Sequence, residues 1–368
     1  MRTDFSENAI SAKVHALYGR RIVRSQDEEL CRKHTTSEIA AYLKERTHLT
    51  EVLNTVQPAT VRSDQLESIL HKGRYNKYLD LVKYATPKTR EFYRSYVLNL
   101  VEIQLILQMI RLINIGRTSE FIVSYPAFAE SDLRIGLGKL SKVKTYDELL
   151  GALEGTEYHD PLLRYRSTDK KNPVINYAGC EMALMNCYYE NLKAIVSRTF
   201  SGETRREIDD ILATKIALEN GIIGYRLKKY YPDMTPEDIK GYMLDFWREP
   251  PMKLLDTALR AKTAEDYLNT LKNGRYIAGI GDGEIQSIGL GSQAIRSLLS
   301  QRYMRRTSSR LWHLSAICST VKWRSTTLCV SSKRYAMVWT PAKSCSFLSL
   351  FNILHSQEVL TQRCPSKK

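Results

Sequence analysis

The chain has 368 residues, 43% of them hydrophobic and 26% charged, with a formal net charge of +15. Those values suit a globular protein of two or three domains with a real core. The opening MRTDFSENAISAKVHALYGRR has no apolar run of the secretory kind, and Cys31, Cys180 and Cys187 form no CxxC pair, so a reducing cytoplasm is expected.

In chain order, residues 6–24 read as a helix, with Ser6 or Asn8 near its cap and Ile10, Val14, Leu17 and Tyr18 on one face. Thr35-Thr36-Ser37-Glu38 reads as a capping box opening a helix at about 36–46. In such a box the threonine hydroxyl caps a free backbone N–H, and the acid reaches back to the cap residue's own N–H. Residues 65–85 have a helical pattern, with Ile69, Tyr75 or Tyr78, and Val82 spaced for one face, and Pro87 punctuates it. A long helix follows at about 88–114. Its most apolar stretch, residues 97–116, carries Glu102 and Arg111 and is too polar for a membrane span, so a buried helix is expected. Residues 117–144 read as a mixed linker.

A second capping box, Thr145-Tyr146-Asp147-Glu148, comes next, then a polar loop at 167–173 and a helix through residues 177–200. Residues 205–244 give a long helix and a further cap signal at Thr235, with Pro236 at the first helical position and Asp238 at the third. Pro250-Pro251 precedes a third box, Thr263-Ala264-Glu265-Asp266, in its aspartate variant.

The three boxes form a repeat. Each has a leucine five residues after the acid: Leu43, Leu153 and Leu271. A short polar loop and an aromatic or leucine follow, and an aliphatic residue closes each piece. Aligning Arg111 with Arg226 sets the end of one long helix on the end of another, at similar offsets from the capping threonines. Strand signals are sparse. The chain therefore reads as all-α, with three similar helical-bundle modules. These are module 1 at 1–118, module 2 at 119–249, and the start of an incomplete module 3 at 250–300. The repeat residues Thr35, Glu38, Thr145, Glu148, Thr263 and Asp266 are structural.

Residues 301–368 differ in kind. They hold twelve Lys/Arg against one acid, Glu358, and no glycine, which leaves +4 for residues 1–300. Four of the seven cysteines and three of the four tryptophans also lie there. Low glycine and acid with excess Trp, Cys, Ser and Arg is what translation in a wrong frame produces. In the shifted frame Met337-Val338 must give Gly and Trp339-Thr340 must give Asp, and neighbouring codons permit text similar to residues 232–239. A frame break within about 280–312 and a poorly ordered tail are expected. An out-of-frame tail also removes the main argument for a nucleic-acid partner.

No catalytic or ligand site is expected. Residues 279–284 and Gly289-Leu290-Gly291 lack the dinucleotide fingerprint, and Gly136-Leu137-Gly138-Lys139 lacks the P-loop spacing; these read as loops. The histidines His15, His34, His48, His71 and His159 are scattered, and Cys180 and Cys187 share a helix face suited to core packing. Glu207, Asp209 and Asp210, beside Arg205 and Arg206, read as a solvated helix face. Tyr225, Tyr230, Tyr231 and Tyr242 with Lys228 and Lys229 suit a partner surface or helix packing.

Three stretches resemble the C subunits of V-type and archaeal A-type ATP synthases, whose eukaryotic counterpart is the d subunit of the V-ATPase. Residues 5–22 are similar to that family's opening helix, with Phe5, Lys13 and His15 departing from its pattern. TYDELLGALEGTEYHDPL (145–162) is similar to its Leu-x-Gly-Thr-x-Tyr piece, and residues 215–239 to its Glu-x-x-Asn-Ile-x-x-x-x-Arg stretch. The resemblance covers about residues 1–280. It implies a funnel of three helical modules on the cytoplasmic face of a membrane, with no active site, cofactor or metal and no transmembrane span of its own. The implied partners are central-stalk rotor subunits and the membrane rotor ring of proteolipid subunits. The implied role is non-catalytic coupling of ring rotation to the shaft. The alternative is a helical-repeat scaffold that binds RNA or a protein partner.

Overall fold

The computed structural model describes residues 3–20, 22, 24–124, 133–166, 174–245 and 251–272. Among the described residues every regular element is a helix and no strand occurs. The chain divides after Arg90 into two compact units.

The first unit contains α1 (Thr3–Gly19), α2 (Arg24–Cys31), α3 (Thr36–Arg46) and α4 (Ser63–Val82). Ile10 and Val14 of α1 are buried, and α1 packs on α4. Ile39, Ala40 and Leu43 of α3 join Ile22, Leu53 and Leu66 in one core. On α4, Tyr75, Tyr78 and Val82 are buried, and Ile69 packs against that core while partly exposed. The loop after α3 is held by Lys44, whose Nζ donates to the carbonyls of Asn54 (3.0 Å) and Val56 (2.8 Å). Its aliphatic stem thus spans helix to loop, and both of these contacts are to main chain.

The long helix α5 (Pro87–Asn114) starts with proline at its first position, and the Thr86 hydroxyl takes the Thr89 N–H. Among the described helices it is the one whose length and composition would allow it to cross a membrane, but most of its most apolar window is buried inside the protein. The second unit continues with a 3-10 turn (Thr118–Ser124), α6 (Leu137–Leu140), α7 (Tyr146–Ala152), α8 (His159–Leu163), α9 (Tyr177–Thr199), α10 (Gly202–Tyr230), α11 (Pro236–Lys240), α12 (Pro251–Leu259) and α13 (Ala264–Lys272). α10 is central: it touches α9, α11, α12 and α13.

Two devices seat chain on α10. Asn220, fully buried, donates from Nδ2 to the Leu244 carbonyl (2.8 Å) and accepts the Leu244 N–H at Oδ1 (2.7 Å). Tyr267 of α13 donates its hydroxyl to the Gly221 carbonyl at 3.1 Å. Its ring lies so close to the helix that a Cβ on Gly224 would stand 2.3 Å from the phenol oxygen. The glycine is there for close approach, at a cost in helix propensity.

Several expectations are corrected. Gly138 and Lys139 belong to the short helix α6 rather than a loop. Tyr225 is buried by α10's packing, so of its two readings, partner surface or helix packing, the second holds there. The short helices α2 and α8 have too few turns for a clear periodic signal. The loop at 167–173, the glycine-rich text at 279–291 and the tail at 301–368 lie outside the described residues.

Gly224→Ala is expected to lower unfolding free energy by about 1–3 kcal/mol, the usual cost of forcing atoms into a packed core. A denaturant titration with an unchanged slope and an earlier midpoint would show it.

Candidate functional site: repeated helix entrances and a buried ion pair

At the first entrance Thr35 Oγ1 accepts the Glu38 N–H at 3.1 Å, and at the second Thr145 Oγ1 accepts the Glu148 N–H at 3.3 Å. At the third, Thr263 Oγ1 accepts the Asp266 N–H at 3.0 Å. The return contact differs from the expected box. Glu38 accepts the His34 N–H (2.9 Å) and Glu148 the Lys144 N–H (2.7 Å), so each glutamate reaches one residue beyond the cap. The fully reciprocal box forms at α11, where Asp238 accepts the Thr235 N–H at 3.2 Å and Thr235 Oγ1 accepts the Asp238 N–H. The His34 N–H holds the Glu38 carboxyl below its usual range.

The same register of burial follows each cap. Four residues after the threonine stand Ile39, Leu149 and Tyr267, and eight after it Leu43, Leu153 and Leu271, all buried. After Thr235 the same places hold Ile239 and Met243, also buried. Residues four apart share a helix face, so the cap fixes which face points inward.

The first two copies also close alike. Thr47 Oγ1 donates to the Leu43 carbonyl (2.5 Å) and accepts the Leu49 N–H (3.2 Å). Thr156 Oγ1 donates to the Leu153 carbonyl (2.7 Å) and accepts the Tyr158 N–H (3.3 Å). One hydroxyl thus ends each helix and turns the chain. Leu53 and Leu162, the closing aliphatics, are both fully buried. The corresponding part of the third copy lies outside the described residues.

A polar centre lies beside the second copy. Glu102, in the middle of α5, is fully buried. Its Oε1 accepts the Arg134 backbone N–H at 2.5 Å, and its Oε2 accepts the Tyr158 hydroxyl at 2.6 Å and Arg134 Nη2 at 3.2 Å. Arg134 Nη2 also donates to Asn99 Oδ1 (2.7 Å), one turn from Glu102 on the same face. Arg134 Nη1 donates to Glu157 Oε2 at 3.0 Å. Glu157 Oε1 accepts Asn191 Nδ2 (2.9 Å), and the Glu157 carbonyl accepts the Cys187 thiol (3.4 Å). In copy 1 the equivalent of Glu157-Tyr158 is His48-Leu49.

Electrostatics follow from this geometry. Burial works against the Arg134 charge, but Glu102, Tyr158 and Glu157 outweigh it and raise its pKa. Burial, then the Glu102 charge, pushes the Tyr158 phenol far up. Burial, then Glu157 and Glu190, pushes the Cys187 thiol up to about 11. Both carboxylates are committed to Arg134 and its neighbours, and Glu102 is sealed from solvent, so the arrangement is suited to holding helices and loop together. Elsewhere in the unit, Asn114 repeats the Asn220 contact: Nδ2 donates to the Ile175 carbonyl (3.0 Å) and Oδ1 accepts the Ile175 N–H (2.9 Å).

The sequence points to the capping residues and to Glu102, but not to Arg134, Glu157, Tyr158 or Asn99 as partners. The available signal is the lone acid inside an apolar helix, which must meet a cation somewhere in the fold. Cys180 is buried on α9, with its sulfur 3.6 Å from the Tyr146 hydroxyl, and Cys187 is partly exposed. Among the described residues no group of three or more His, Cys, Asp or Glu could hold a metal ion.

The sequence model of the ATP synthase (C/AC39) subunit family matches residues 10–313. A comparison with curated proteins found no match. The match spans most of the chain, which therefore belongs to this family, that of a non-catalytic stalk subunit of V/A-type rotary ATPases.

Two outcomes are expected. Thr145→Ala should cost about 1 kcal/mol of stability, the usual value of a helix N-cap, read from the denaturation midpoint. Stability should also fall between pH 9.0, the ordinary value for a thiol, and about 11, because the unfolded chain has lost the Cys187 proton that the folded state keeps. Cys187→Val should flatten the lower part of that fall. The buried phenols of Tyr146, Tyr158 and Tyr267, all raised above 10.0, add their own loss at higher pH.

Proposed function

We propose that this chain is the coupling body of a V/A-type ATPase, on the cytoplasmic face of the membrane. It binds the proteolipid rotor ring on one side and the central-stalk rotor subunits on the other. The observation that carries this reading is the family match over residues 10–313. Association with a membrane-bound complex follows from the family, and the contact faces are part of the proposal. A coupling body must resist twisting, and packed helices at interior density are stiff. The matching entrances and closures at Thr35 and Thr145 support a modular plan of 1–118, 119–249 and 250–300. α5 serves in this plan as a core helix, with Glu102 engaged by protein groups.

The family match runs to residue 313, past the start of the tail at 301, so a break of frame close to that end would account for residues 314–368 lying outside it. Module 3 then lacks its closing helix, and apolar surface is left uncovered. Sequencing the coding DNA tests this part alone.

Added to rotor complexes depleted of this subunit, the chain should co-purify with the membrane ATPase and raise ion transport per ATP only in part. A chain with the corrected frame should restore it in full. Failure of both chains to assemble, together with salt-sensitive nucleic-acid binding by the protein, would favour the scaffold reading instead.

A further inference from the structure

We infer that Arg134 is a positioning residue of the coupling body, setting where residues 133–145 lie along α5 and hence where the second repeat begins. The inference rests on the coupling reading for its functional consequence and on geometry for its substance. Ile135, Leu137, Leu140 and Val143 are all buried, and they hold this stretch against the core. Apolar contacts are non-directional, so they fix depth without fixing register.

Register comes from the polar groups. Asn99 and Glu102 are the buried polar residues of α5's middle, one turn apart, and Arg134 engages both. Its own backbone N–H also donates to Glu102. A shift by one helical turn would remove both the charge pair and this main-chain bond, leaving a carboxylate buried without its cation. Nη2 also donates to the Tyr158 hydroxyl and Nη1 to Glu157, which ties the same guanidinium to the loop that closes α7. Eleven residues after Arg134, Thr145 caps α7. One side chain therefore relates α5, the start of the second repeat and its closure.

A buried ion pair is often replaceable by apolar groups without loss of stability, so register and stability can be separated. The triple variant Glu102→Leu/Arg134→Met/Tyr158→Phe removes the pair, and it takes their partners from Asn99 Oδ1 and from the residue 134 N–H. In the full chain it should still unfold cooperatively, with a midpoint lowered only by those two lost bonds. Residue 134 exchanges faster simply because its N–H loses Glu102, but loosened register should also speed exchange about tenfold or more at Lys139 and Leu140, whose N–H groups bond Gly136, while α5 stays protected. Arg134→Lys, which keeps charge but loses the fork, should give intermediate exchange. It also serves as the readout if the triple variant does not fold. In the assembled complex the triple variant should co-purify normally but transport fewer ions per ATP than the unaltered chain.

Unchanged exchange at Lys139 and Leu140 in the triple variant, or in Arg134→Lys if that must stand in, overturns the inference. So does faster exchange accompanied by unchanged transport. If the unaltered chain fails to assemble, the coupling reading fails, and the exchange result still decides whether Arg134 sets register.

Discussion

A carboxylate in the middle of an apolar helix is the constraint on which the second unit depends. Glu102 cannot be left alone in the core: the desolvation penalty for an unpaired ion is several kcal/mol or more. The fold meets this with three donors from two separate stretches, Arg134 and Tyr158. Supplying them requires the chain after α5 to return to its midpoint, and the loop after α7 to arrive from another direction. The positions of α6, α7 and α8 follow from that requirement as much as from their own apolar residues. The pair is only half sealed, since the Arg134 side chain remains 47% exposed. Water thus offsets part of the cost of the cation but none of that of the anion.

Around this centre, short local rules are used repeatedly. A threonine opens a helix, residues four and eight later face inward, and in two copies another threonine closes it. Each cap contributes little alone, on the order of 1 kcal/mol. Its larger effect is on phase. A helix that starts one residue early turns its apolar stripe by about 100 degrees, away from the core. Fixing the first turn therefore fixes which side chains can pack, and this explains why the same pattern recurs at α11 as well as at the three recognised copies.

Much of this is legible in the sequence where the rule is local. The helix after Thr35 is legible at its observed bounds, and α5 nearly so, because caps, proline and periodicity all act within a few residues. The buried face of α4 is likewise readable from spacing. Long-range partners are not. Nothing near Arg134 in the sequence says that it meets Glu102, 32 residues earlier. The reach of Glu38 and Glu148 beyond the cap is also hidden, since the pattern gives the residue type but not which of two adjacent N–H groups lies nearer. By sequence Tyr225 suits a partner surface or helix packing alike, and only α10's central place shows that it is buried.

The paired amides of Asn114 and Asn220 carry a consequence for how such a chain can change over time. Each grips one residue entirely through main-chain atoms, Ile175 in one case and Leu244 in the other. Those contacts are indifferent to the side chain that is gripped. Connecting segments can then lengthen, shorten or drift in composition while their points of return stay fixed. The asparagines behave as surveyed landmarks, and the variable text between them is free to be rewritten.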